Sequence, residues 1–170
     1  LADILQESLR LDMMLVGSGS IRVREWGPIV LFSDLMECLP YDDSAMALWV
    51  TGAQLRKMIL YMLRDEVWDG AHCEFFQFSK GMRVVYDKKN RTLTEFSLNG
   101  EELENEKIYK VGLQYYFYLN SKEFFSISHE EIERNGNIRR VATSCREVLD
   151  EYLSCHQNVD YSISGRLEVL

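Results

Sequence analysis

No apolar run in this chain approaches the roughly 20 residues that a membrane-spanning helix needs, and no basic-then-apolar opening of the secretory kind is present. Basic residues are also scarce. There are 19 Lys and Arg against 27 Asp and Glu, the net charge is −8, and the acids are scattered rather than run together. A nucleic-acid scaffold needs a basic face, so that class is excluded. The only prolines are Pro28 and Pro40, both at corners, and there is no repeat, linker or low-complexity stretch. Residues 1–170 therefore read as one domain. Cys38, Cys73, Cys145 and Cys155 lack any CxxC spacing, which indicates neither a zinc site nor a dithiol redox motif. Free thiols in a reducing compartment and disulfides in an exported protein both remain open. His72, His129 and His156 are scattered without carboxylates at ligand spacing, so no metal set is visible.

What is present is an ordinary globular composition, 46% hydrophobic and 27% charged, long enough to bury one sizeable core. Ala2 to Leu11 carries Ile4, Leu5, Leu9 and Leu11 at amphipathic helix spacing. Met13–Val16 is a continuous apolar run, as in a buried central strand. Gly17–Gly19 turns the chain, and Ser33 is placed to cap a short helix over 34–39. Ala47–Val50 is a second strand. Thr51-Gly52-Ala53-Gln54 fits a capping box opening a helix with Leu55, Met58, Ile59, Met62 and Leu63 on one face, ended around Asp69-Gly70. From Phe75 to Leu113 the pattern is strands, with Asn99-Gly100 as a hairpin turn. Ser128-x-x-Glu131 and Ser144-x-x-Glu147 are further capping boxes, the second opening a helix through Leu153. Val159-Tyr161-Ile163 alternates as a closing strand, continued by Leu167 and Val169. The expected class is α+β: a mixed sheet with antiparallel hairpins, flanked by helices.

The most informative stretch runs from Gly17 to Leu55. It sets Arg22 beside the small residues Gly17-Ser18-Gly19-Ser20, then Tyr41 on a proline-fixed corner, then the capped helix. Glycine and serine let backbone approach an anion closely, and a guanidinium suits bidentate contact with phosphate or carboxylate. A tyrosine face can stack on a flat ligand. The competing readings are a surface Arg22 paired with Asp34 or Glu25, and tyrosines packed in the core. Thiol catalysis by Cys73 beside His72 is a poor reading, because adjacent residues usually point apart and no orienting third group is visible.

These residues resemble the C-terminal domain of the 5'-nucleotidase, UDP-sugar hydrolase and cyclic phosphodiesterase family. Gly17-Ser18-Gly19-Ser20-Ile21-Arg22 is similar to its Asn-Gly-Gly-Gly-Ile-Arg signature, and Leu39-Pro40-Tyr41 to its Leu-Pro-Phe corner. Leu1–Leu5, Gly27–Val30, Val50–Leu55, Phe75–Ser79, Val84–Asp87, Asn99-Gly100 and Ile108–Val111 follow in the family's order. The resemblance implies a two-domain, bacterial-type hydrolase. Its N-terminal metallophosphoesterase domain would hold two divalent metal ions and the catalytic residues, one metal-bound water attacking phosphorus. The C-terminal domain would bind the nucleoside part of the substrate and rotate it towards the metals. On this reading the chain, which opens at Leu1 in helix-like sequence, is a piece of a longer enzyme. It would be no enzyme and need no cofactor by itself.

The resemblance also implies roles. Arg22, with Gly19 and Ser20, would contact substrate, Arg24 being a helper at best. Tyr41 and Tyr116 would clamp the base, with Phe75 as an alternative clamp. Two positions depart from the family. Gly17 stands where an Asn heads the signature, and Asn120-Ser121-Lys122-Glu123 stands where Gly-Gly-Asp-Gly holds the ribose hydroxyls. Lys122 has no acceptor, so Asn120 or Glu123 would have to substitute, or Lys122 would draw a second phosphate or an acidic ligand. The expected ligand is a nucleotide or nucleoside-like molecule that need not be AMP. The alternative is a degenerate interaction or assembly module with no such ligand. Family members are commonly extracytoplasmic, whereas the cysteines lean towards a reduced cytoplasm, so location stays open.

Overall fold

A computed structural model describes residues 1–69, 73–161 and 165–170. In chain order its main elements are α1 (Ala2–Ser8), β1 (Met13–Gly17), α2 (Phe32–Cys38), β2 (Ala45–Thr51), α3 (Gly52–Met62), β3 (Phe76–Phe78), β4 (Met82–Asp87), β5 (Thr92–Leu98) and β6 (Glu101–Glu102). There follow β7 (Ile108–Gln114), α4 (Tyr115–Leu119), α5 (Ser121–Phe125), α6 (His129–Glu133), β8 (Arg139–Ala142), α7 (Cys145–Cys155) and β9 (Leu167–Val169). Single 3-10 turns sit at Ser18–Ser20 and Asp65–Val67.

The apolar run at β1 is buried at every residue because the sheet that contains it is covered on both faces. That sheet has five strands in the order β3-β1-β7-β2-β8, with β1 and β7 parallel and the other pairs antiparallel. Side chains alternate between two cores, as strand geometry requires. Met13 and Leu15 of β1, Met46, Leu48 and Val50 of β2, and Tyr109, Val111 and Leu113 of β7 enter one core, together with Leu55, Met58 and Ile59 of α3. Met14, Val16, Ala45 and Ala47 enter the other, with Ile4 and Leu5 of α1, Leu35 of α2 and Leu149 of α7. The second sheet, β6-β5-β4-β9, packs Val84, Tyr86 and Phe96 into the first core. The result is the expected α+β domain, with two mixed sheets in place of one.

Local signals set the boundaries. Thr51 Oγ1 accepts from Gln54 N–H at 3.2 Å while Gln54 Oε1 accepts from Thr51 N–H at 2.8 Å, and Ser128 with Glu131 does the same. Ser144 accepts from Glu147 N–H at 2.9 Å and opens α7. Asn99 (φ 54°) and Gly100 (φ 84°) make the two-residue hairpin turn between β5 and β6 in the left-handed conformation that pair tolerates.

Three expectations are corrected. Ser33 lies inside α2, not at its cap; Leu31 stands at the cap, and its N–H is satisfied at 2.7 Å by Asp34. The α3 helix ends at Met62 with Leu63 at its C-cap, ahead of Asp69, because Arg64 opens the 3-10 turn; Gly70 lies outside the described residues. Val159 and Tyr161 are exposed and in no strand, and among the described residues it is Leu167 to Val169 that closes the second sheet, parallel to β4. Ile163 lies outside the described residues.

Candidate functional site

Four segments distant in sequence converge at one end of the five-stranded sheet. Because β1 and β7 run parallel, with Leu15 opposite Leu113, they finish side by side and release the Gly17–Arg22 turn and the Tyr115–Leu119 helix together. Ala45 opposite Gln114 makes β2 start where β7 ends, which brings in Tyr41–Asp43. Phe76 opposite Gly17 brings in Glu74 just ahead of β3. Between them lies a cleft of about 440 Å³ lined by Gly19, Ser20, Arg22, Tyr41, Asp42, Asp43, Glu74, Gln114, Tyr116 and Phe117.

Of the residues singled out from sequence, Gly19, Ser20, Arg22, Tyr41 and Tyr116 are brought together here. Tyr41 is 73% exposed and Tyr116 56%, so neither ring is spent on core packing. The Arg22 guanidinium lies 5.7 Å from the Tyr41 ring centroid, in cation–π range. Among the described residues it forms no ion pair, either with Asp34, which caps α2, or with Glu25. Tyr116 is held from behind by edge contact with Phe117, their centroids 5.2 Å apart, and by its N–H donating to Asp43 at 2.7 Å.

Other candidates lie elsewhere. Asn120 does not line the cleft; its Nδ2 donates to the Tyr116 carbonyl at 2.8 Å and ties α4 to α5. Lys122 and Glu123 are exposed on α5, so the segment corresponding to Gly-Gly-Asp-Gly is helical here and offers the cleft no acceptor. Arg24 is exposed and outside the lining. Phe75 stacks edge-on against Trp68 at 5.5 Å and faces a neighbouring hollow of about 620 Å³.

The turn uses its own amides internally. Gly17 N–H donates to Gln114 Oε1 at 3.0 Å, Ser18 N–H to the Phe75 carbonyl at 2.7 Å and Gly19 N–H to Glu74 at 2.5 Å. Ile21 N–H donates to the Ser18 carbonyl and Arg22 N–H to the Cys38 carbonyl at 2.8 Å. With these five amides committed, the Arg22 guanidinium is the charged donor in the cleft lining. A Cβ on Gly17 would collide with the Phe117 ring, which explains a glycine where the family signature carries Asn.

Sequence reasoning missed Glu74, Gln114, Asp42 and Asp43. Gln114 is a buried polar residue ending an apolar strand, bonded to Gly17 and to Ser20 Oγ at 3.1 Å, and that unusual position was its one signal. Asp43 accepts from the Ser44 and Tyr116 N–H groups, and Asp42 accepts from Arg146 N–H and pairs with its guanidinium at 3.6 Å. The carboxylates of Asp42 and Asp43 lie near Cys145, whose thiol is pushed up to about 12, first by burial and then by those charges. Burial likewise raises Cys38 against hydrogen bonds from Val23 and Arg22. All four cysteines are free thiols.

Among the described residues no three His, Cys, Asp or Glu are grouped to hold a metal ion. His129 stacks on Tyr118 and His156 on Tyr152, while His72 lies outside the described residues. The donors among the described residues do not fit a metal pair, and no catalytic step is assigned to them. No helix among the described residues is long and apolar enough to cross a membrane.

Two mixed sheets with an aromatic-walled cleft at one sheet end thus make an α+β domain with a formed surface cleft. Residues 1–128 match the family described as 5'-nucleotidase, C-terminal domain, and the chain belongs to that family. It is similar in fold to the 5'-nucleotidase precursor from Thermus thermophilus, at 19% identity and a TM-score of 0.80, over 99% of this chain and 34% of that one. The NAD nucleotidase of Haemophilus influenzae gives 15% identity and a TM-score of 0.79, over 99% and 33%. The sulfate thiohydrolase SoxB of Thermus thermophilus, solved with glycerol, gives 14% and 0.68, over 99% and 31%. The chain thus spans about a third of the length of these proteins. No curated protein matches the sequence at a significant level.

Proposed function

We propose that this chain is the substrate-recognition domain of a two-domain, metal-dependent phosphoesterase acting on nucleotides or related phosphate esters. Tyr41 and Tyr116 clamp the base, Arg22 holds the sugar or anion side, and the adjoining N-terminal domain supplies two divalent metal ions and the catalytic residues. The observation that carries this reading is the cleft that gathers Arg22, Tyr41 and Tyr116 with both rings exposed. Base stacking on an aromatic face contributes about 1–3 kcal/mol, enough with one charge-assisted contact for a selective weak site. The chemistry itself lies outside this chain. Its residues bind and orient, and a rotation of the domain carries the bound substrate to the metals.

The full-length protein tests this directly. It releases inorganic phosphate from at least one nucleotide or sugar phosphate in a metal-dependent way; no release from any of them sinks the reading. A second reading, a module kept for interaction, is favoured by the apolar segment that leads into α2. There Ile29, Val30, Leu31 and Phe32 are 76%, 40%, 59% and 60% exposed, an unusual contiguous run. A full-length protein that assembles with a partner through this segment but binds no nucleoside supports that alternative.

A further inference from the structure

The segment leading into α2 is apolar where the chain meets solvent. Ile29, Val30, Leu31 and Phe32 are consecutive and exposed, and Met36, one turn beyond Phe32 on the same side of the helix, is exposed with them. A second side of α2 is apolar as well, since Leu35 and Cys38 are buried in the core shared with α1 and α7. A helix with apolar residues on more than one side is one that has neighbours on more than one side. Here the domain covers one of them. The five exposed side chains together offer on the order of 500 Å², a patch of the size that marks an interaction site on a soluble protein.

The patch stands apart from the cleft. At the other end of α2 the Cys38 carbonyl accepts from Arg22 N–H at 2.8 Å, and Tyr41 follows in the cleft wall. At the helical rise, Phe32 lies about 9 Å back along α2 from Cys38. None of the five residues lines the cleft.

No charge interrupts residues 29–32, so the surface that covers them is itself apolar. Arg24, Glu25 and Glu37, which flank the patch in sequence, are exposed, carry both signs and form no ion pair among the described residues. A second copy meets both requirements. In a twofold contact each copy presents the same surface, so apolar centre meets apolar centre and the flanking arginine faces carboxylates of opposite sign. Two such patches bury about 1,000 Å², the lower bound of a specific protein–protein contact.

We propose that residues 29–32 and Met36 form the centre of a twofold dimer of this protein, of the weak class, which leaves the cleft of each copy open. The dimer does not depend on what the cleft binds.

The test is sedimentation velocity of the full-length protein without ligand. Wild type is expected to pass from monomer to dimer between about 1 and 100 μM, the range of a contact this small. Ile29→Glu and Phe32→Glu each place a charge in the apolar centre and weaken the dimer by about tenfold or more. Their melting temperatures stay unchanged because both side chains are exposed. Ile108→Glu, a control at an exposed apolar position on β7, leaves the dimer intact. A wild type that stays monomeric at the highest concentration overturns the inference, and hydrogen-exchange protection of amides 29–32 in that monomer assigns the patch to an adjoining domain instead. A dimer that persists in both Glu variants, or that Ile108→Glu dissolves equally, also overturns it. Phosphate release is read separately, so failure of the dimer leaves the nucleotide reading standing, and failure of that reading leaves the dimer.

Discussion

Phe117, which lines the cleft, packs directly over Gly17. The Phe117 ring occupies the volume that a side chain at 17 would need. Gly17→Asn, which restores the family's residue, is therefore expected to overpack and cost about 1–3 kcal/mol. At roughly 2–4 °C per kcal/mol for a domain of this size, a thermal melt reads the loss. An unchanged melting temperature would mean that Phe117 moves freely. The cysteines give a second check. Cys38 and Cys145 are buried with raised thiol pKa values, whereas Cys155 is exposed and Cys73 half-buried. The thiolate is the reactive form, so a maleimide at neutral pH should label Cys155 first, then Cys73, with Cys38 and Cys145 modified only on unfolding. Mass spectrometry of labelled peptides distinguishes these. At this scale Arg22 and Tyr41 were legible because each adjoins its own local signal, a small-residue turn and a proline corner. Glu74 and Gln114 were not. They reach the cleft only through strand register, Phe76 opposite Gly17 and Ala45 opposite Gln114, which no local pattern encodes.

Among the elements, α1 is pinned to the end of the chain by one ion pair. Arg166 donates to both oxygens of the buried Asp3, at 2.6 and 2.7 Å, and Lys80 N–H donates to the same carboxylate at 2.6 Å. Burial opposes ionisation of Asp3, but the Arg166 hydrogen bonds and charge and the Lys80 amide outweigh it, leaving its pKa lowered. A group whose folded pKa is depressed stabilises fully above its unfolded value, about 3.9, and loses that contribution as pH falls through the folded value. Thermal stability should thus be level with respect to Asp3 from neutrality to about pH 5 and fall below it. Asp3→Asn should cost about 1.5–3 kcal/mol at neutral pH and flatten that acid decline, because it removes the charge that accepts the Arg166 hydrogen bonds. An acid decline identical in the variant would show that Asp3 does not set it. Thr51→Ala is expected to cost about 1 kcal/mol through loss of the α3 cap. Capping boxes and the short apolar runs of β1 and β2 were readable because they depend on neighbours within a few residues. The second sheet was not separable from the first, since Met82–Tyr86 and Thr92–Leu98 carry the same period-two pattern whichever core they join. At 159–161 alternation misled, because polar neighbours and exposure leave nothing for those side chains to bury against.

At the scale of the whole molecule, the chain is a member of the 5'-nucleotidase C-terminal domain family and spans about a third of the solved proteins it resembles. The family succession was legible in the order of short motifs, each weak alone. The cleft was only half legible, because the sequence named its aromatic and cationic walls while its carboxylates came from tertiary register. The consequence is a reversed electrostatic expectation: a carboxylate, Glu74, takes the Gly19 amide and lines the cleft where open amides were expected. The most direct test is calorimetric titration of the full-length protein with a nucleotide, comparing wild type with Tyr41→Ala and Tyr116→Ala. Loss of one stacking face should weaken binding by about 5- to 150-fold in each variant, corresponding to 1–3 kcal/mol, with the melting temperature unchanged because both rings are exposed. Affinity unaltered by either substitution would contradict the clamp.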